Sequence, residues 1–197
     1  MKKLLAVKGV IMMQNRHDGL TALKLVQSKL DPSSHLGVIS EGGHEWNAYF
    51  SFNAPATQEN LEGLAKRWKL PSTYEQFLAY CDGAVLYKDD IYGQWGYYLY
   101  GTHELKQANE YYRNMYEEQW LATYLAFGRS LGDRDLLLID TSQCMIELKE
   151  CYVIDGNSES LPQTWSPIAR SFGGWLDYLV VAQGAKYWRW FPAIVGK

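Results

Sequence analysis

Apolar positions along the chain recur first at helical spacing. Leu20, Leu23, Val26 and Leu30 follow Asp18 on one face, and Pro32 stops the run. The period then changes to two. Trp46, Ala48, Phe50 and Phe52 alternate with Asn47, Tyr49, Ser51 and Asn53, which predicts a strand with one face in the core. After the turn Asn53-Ala54-Pro55, Thr57 is placed to cap a helix with Leu61, Leu64, Ala65 and Trp68 on its inner side, ended by Leu70-Pro71.

Residues 70–84 read LPSTYEQFLAYCDGA. Ser72 and Glu75 have the spacing of a capping box, and Tyr74, Phe77, Leu78 and Cys81 share one helical stripe before the turn signal Asp82-Gly83. Each residue of this stretch has a structural use, and none requires a chemical one. AVLYK (84–88) and WGYYLY (95–100) then read as strands joined by DDIYGQ. In that pattern Trp95 and Tyr97 face one side and Tyr98 and Tyr100 the other. A polar helix follows a Thr102 cap, and YLAFG (124–128) and LLLID (136–140) flank the turn RSLGDRD. CYVID is the last strand before Gly156-Asn157. Ser166 and Pro167 read as the cap and first position of a closing helix carrying Ile168, Phe172, Trp175, Leu176 and Leu179, with Gly184 at its stop.

Short hairpin-linked strands bracketed by helices imply an α+β fold, a single mainly antiparallel sheet with helices packed beside it. No repeat, low-complexity tract or Pro/Gly linker divides the chain, so residues 1–197 read as a single domain. Met12 and Met13 offer alternative starts, which marks residues 1–17 as an extension.

Charge and composition narrow the function classes. Eight Trp and fifteen Tyr supply broad rings, each with one polar atom, suited to half-wet contact surfaces. Residues 30–169 carry nine basic and twenty acidic side chains, a local balance of −11 within a net charge of −3. An acidic body argues against nucleic acid as the partner, because phosphates need a basic footprint. It suits a basic protein partner and equally serves as a solubilising surface. No run of about 18 apolar residues predicts a membrane span, and Lys8 breaks the one stretch that resembles a signal peptide. These features, with three cysteines at no metal-type spacing, read as a cytoplasmic protein with free buried thiols.

Motifs for chemistry are sparse. No phosphate loop, dinucleotide fingerprint or nucleophile elbow occurs. His17, His35, His44 and His103 form no i, i+4 pair, and HELKQ lacks the second His of a zinc helix, so neither a metal nor a cofactor is expected. The pairs Asp89-Asp90 and Asp133-x-Asp135 admit acid/base or divalent-ion roles, but both lie in turns, where Asp bonds its own backbone. A hydrolase site assembled from remote residues would need His44 or His103 beside a perturbed carboxylate.

LPSTYEQFLAYCDGA, WGYYLYG, GDRDLLLID, YVIDG and the closing IARSFGGWLDYLV together resemble the SUKH superfamily, which includes fungal Smi/Knr cell-wall regulators and bacterial immunity proteins. The similarity covers about 44–183 and rests on Leu70, Pro71, Tyr74, Phe77, Gly83 and Trp175 as scaffold positions. It implies an α+β fold and a non-catalytic domain that acts by binding proteins. An immunity-type role implies a toxin domain with a basic surface as partner; the alternative is an intracellular regulatory module. The residues expected to meet such a partner are Asp89, Asp90, Tyr92 and Trp95, with Asp133 and Asp135. Acids would steer the encounter and desolvated rings would hold it.

Overall fold

The computed structural model describes residues 18–145 and 149–190. Met12, Met13 and the extension assigned to residues 1–17 lie outside the described residues. Eight strands form one sheet in chain order: β1 (His35–Ile39), β2 (Glu45–Phe52), β3 (Ala84–Asp89), β4 (Tyr97–Leu99), β5 (Tyr124–Ser130), β6 (Leu136–Met145), β7 (Glu150–Gly156) and β8 (Ser166–Ala169). Every neighbouring pair is antiparallel. Beside the sheet lie α1 (Leu20–Ser28), α2 (Gln58–Ala65), α3 (Ser72–Tyr80), α4 (Thr102–Tyr116) and α5 (Phe172–Val181). The fold is α+β, as the pattern predicts. Among the described residues no helix is long and apolar enough to cross a membrane.

The central strands are apolar without a break because both their faces are covered. Leu125 and Phe127 of β5, Leu137 and Ile139 of β6 and Val153 of β7 join the main core, where they meet Leu23, Tyr74, Phe77, Phe172, Trp175 and Leu176 from the helices. Tyr74 and Phe172 lie 5.0 Å apart by ring centroid, and Phe127 and Trp175 5.3 Å, within the range of favourable aromatic pairs. The alternate residues Tyr124, Ala126, Leu136 and Leu138 build a second cluster on the other face with Trp120 and Trp165.

Both N-terminal caps of the middle helices differ from expectation. Ser72 lies inside α3, and the N-cap position is Pro71. The buried carboxylate of Glu150, on β7, accepts from the Ser72 hydroxyl and from the Thr73 amide and hydroxyl at 2.7–2.9 Å. A charged acceptor supplied by the sheet thus replaces the local Ser72-Glu75 box. Similarly Gly101 is the N-cap position of α4, and Asp82 accepts from the Thr102 amide and hydroxyl at 2.6 and 2.7 Å. Thr57 does cap α2, accepting from the Asn60 amide.

Three further readings are corrected. Ser166 and Pro167 belong to β8, paired with β7, and the closing helix starts at Phe172 with Ser171 as cap. Strand pairing along β7 satisfies backbone groups that a helix start would leave orphaned. Trp95 precedes β4, so it does not share a face with Tyr97: Tyr97 is buried and Trp95 is exposed. Cys144 and Cys151 are bonded through their sulfurs as register partners across β6 and β7, and only Cys81 is free. β1, whose sequence HLGVI lacks strict alternation, has no counterpart in the sequence reading.

Candidate functional site

An antiparallel meander sends its turns alternately to opposite ends of the sheet. The β1–β2, β3–β4, β5–β6 and β7–β8 connections therefore gather at one end, while the connections carrying α2, α3 and α4 lie at the other. This topology brings the two candidate stretches, residues 89–95 and 133–135, to the same end. The contact between them is close: a β-carbon on Gly132 would overlap the Gln94 carbonyl oxygen, and the Leu131 amide donates to the Gly96 carbonyl at 2.9 Å.

Each predicted acid has a partner within the chain. Asp89 is buried, and its carboxylate accepts from the amides of Ile91 and Tyr92 at 2.9 and 3.2 Å, which shapes the β3–β4 loop. Asp90 accepts from the Lys88 ammonium at 2.7 Å and lies 2.9 Å from the His35 ring. The Lys88 hydrogen bond holds its carboxyl below the usual range. Asp133 and Asp135 share Lys186, whose ammonium donates to both at 2.6 Å, and Arg189 reaches them at 3.2 and 3.0 Å. Burial alone would raise the Asp133 carboxyl. Hydrogen bonds from Lys186 and the Ser130 hydroxyl outweigh it and hold the group well below the ordinary range.

Lys186 and Arg189 come from the segment after α5, which Gly184 turns back over the sheet. Gly184 has φ +86°, and a β-carbon there would strike the Tyr87 ring. The Tyr97 hydroxyl donates to the Gly184 carbonyl at 3.1 Å, and the Trp188 indole donates to Asp155 at 2.7 Å. A cleft of about 400 Å³ results, lined by Glu41, Trp95, Tyr97, Ser130, Asp133 and Arg189 among others.

The aromatic candidates, by contrast, present most of their surface to solvent. Ile91 is 82% exposed, Tyr92 77% and Trp95 60%, on a loop whose base is fixed by Asp89 and Asp90. The pattern of charged and aromatic residues pointed to Tyr92 and Trp95; it carried no signal for Ile91, Lys186 or Arg189, which join the site only through the fold.

The cleft is poorly equipped for bond chemistry. Its hydroxyl, Ser130, donates to a carboxylate already held as an anion by an ammonium, and such a depressed carboxylate is a weak base. His44 and His103 are exposed and do not line it. Burial and the nearby Asp82 push the Cys81 thiol up to about 12, away from thiolate reactivity. Among the described residues no group of three His, Cys, Asp or Glu side chains is placed to hold a metal.

Comparison with curated proteins returns no match. The sequence model of the SMI1 / KNR4 family (SUKH-1) matches residues 55–178, from the entry to α2 through most of α5. That span is more than half of the 197 residues and includes the β3–β4 and β5–β6 turns of the cleft. The chain belongs to the SMI1 / KNR4 family (SUKH-1).

Proposed function

We propose that the protein is a non-catalytic binding domain that grips another protein with the turn-bearing end of its sheet. The observation that carries this reading is the β3–β4 loop, where Ile91, Tyr92 and Trp95 are each exposed and the Asp89 carboxylate ties the loop backbone. A loop whose backbone is already tied down loses less freedom on association, and a few large side chains supply most of an interface's energy. The adjoining cleft offers a recess beside them.

The partner class that fits best is a toxin domain with a basic surface, neutralised by direct occlusion. Support comes from the local balance of −11 over residues 30–169 and from the family's SUKH character. Since Asp89, Asp133 and Asp135 are engaged internally, the exposed rings contribute the binding energy, and the acidic body acts on encounter rate. The alternative is a regulatory module within the cell; the same loop would serve it.

The test begins with affinity capture from native cells using the full chain, and identification of what is retained. Calorimetry with that protein should then show Trp95→Ala and Tyr92→Ala weakening binding by at least tenfold each. Wild-type affinity in the double variant would move the interface elsewhere. Turnover of a substrate that disappears in Ser130→Ala would overturn the non-catalytic reading.

A further inference from the structure

The β3–β4 loop is tied at a second point, beyond the Asp89 carboxylate. Asp90 Oδ2 lies 2.9 Å from Nε2 of His35, the first residue of β1. On the other side of the ring, Nδ1 lies 3.1 Å from Ser33 Oγ. Ser33 belongs to the turn between α1 and β1, which Asp31 organises. Asp31 Oδ1 accepts from the Ser33 hydroxyl at 2.8 Å and from the amides of Ser33 and His35 at 2.9 and 2.8 Å. The titratable groups that face the ring among the described residues are Asp31 from this turn, Tyr49 from β2, and Asp90 with its second partner Lys88 at the end of β3.

Counting hydrogens fixes the charge that this arrangement requires. The His35 amide foremost holds the Asp31 carboxyl below its ordinary range, and the Lys88 hydrogen bond does the same for Asp90, so both are anions that only accept. The single hydrogen of the Ser33 hydroxyl points to Asp31, which leaves only lone pairs toward Nδ1 of His35. Nδ1 must therefore donate to Ser33, and Nε2 must donate to Asp90. Only an imidazolium donates from both ring nitrogens. A neutral ring loses one of the bonds among His35, Ser33, Asp31 and Asp90, whichever way the hydroxyl turns, and its bond to Asp90 is no longer charge-assisted. We propose that His35 is a proton-operated clamp on the β3–β4 loop: as an imidazolium it ties Asp90 to the turn at Asp31, and loss of one proton slackens the loop. The clamp closes toward acid and slackens as pH rises between 5 and 8, the interval in which histidine changes charge. Lys88 stays on Asp90 throughout, so the loop is loosened and not released. The effect on partner binding rests on the reading that this loop grips the partner; the clamp itself does not.

The test is amide hydrogen exchange on the full chain from pH 5 to pH 8, with each rate divided by the free-peptide rate at the same pH. The amides of Ile91, Tyr92 and Gly93 should lose protection by about three- to fivefold across that range, the size expected of a partly exposed ion pair, while those of α3 stay level. The His35 ring resonances should titrate with the same midpoint as the loop. His35→Gln and Asp90→Asn should each give a flat loop profile. A flat profile in the wild type would overturn the clamp, as would a slope that persists in either variant or a midpoint that differs from that of the ring. A loop that responds while affinity for a captured partner stays constant with pH would overturn the siting of the interface and uphold the clamp.

Discussion

Single side chains far apart in sequence complete the local structures of this fold. Glu150 closes the start of α3 from across the sheet, and Asp82 does the same for α4. Glu150→Ala should therefore cost about 2–3 kcal/mol, because the Thr73 amide and hydroxyl lose their acceptor in a buried setting. Urea unfolding should show a lower midpoint at unchanged slope. Ser72 and Glu75 illustrate why this was illegible: their spacing satisfies a local rule, and only the folded sheet offers a better acceptor. Asp155 makes a second residue-level prediction. Burial raises its carboxyl, against the opposing effect of Lys186, and one oxygen lacks a partner. A carboxyl with a raised folded pKa weakens folding as pH rises through that value. Asp155→Asn keeps an acceptor for Trp188 and never ionises, so it should be more stable than wild type at pH 7. The advantage should vanish below about pH 3.9, where the unfolded aspartate is also protonated.

Elements whose period was strong were read correctly. The stripe Tyr74, Phe77, Leu78 and Cys81 is buried throughout, and the alternating run at 46–52 is β2. The errors fell where local signals had two meanings. Ser-Pro at 166–167 is a good helix start in isolation, yet β7 presents an edge that claims it as β8. Asn109, an unremarked polar residue of α4, proves to be the tie between that helix and the sheet. Its amide donates to the carbonyls of Leu105 and Ala126, and its oxygen accepts from the Ala126 amide, beside the bulge in β5. Asn109→Ala should destabilise by about 2 kcal/mol, read by thermal or urea unfolding, since it strands strand groups that are fully buried. The β6–β7 hairpin makes its own prediction. Thiol titration of unfolded, unreduced protein should find one reactive group, Cys81, and three after reduction. A spacing of seven residues carried no hint of this, because partnership depends on hairpin register.

At the scale of the molecule, turn chemistry was legible and its assembly was not. Asp133 and Asp135 read as turn residues, but their cations lie more than fifty positions later, on a segment placed by α5 and Gly184. Removing the shared cation by Lys186→Met should cost about 3 kcal/mol at pH 7, because Asp135 is left almost fully buried beside a largely exposed arginine. The sign with pH follows from Asp133, whose folded pKa is depressed: its stabilisation is present above the ordinary aspartate range and is lost on acidification through the folded value. The penalty of Lys186→Met should accordingly shrink in strong acid. The separation of the sheet's two ends has a consequence for how such a domain changes over time. Helix insertions and their caps occupy one end, and four short turns occupy the other. Under the proposed binding role, foldability and recognition are written in different parts of the chain, so a new binding preference could be acquired by rewriting the β3–β4 loop while the aromatic interior is inherited intact.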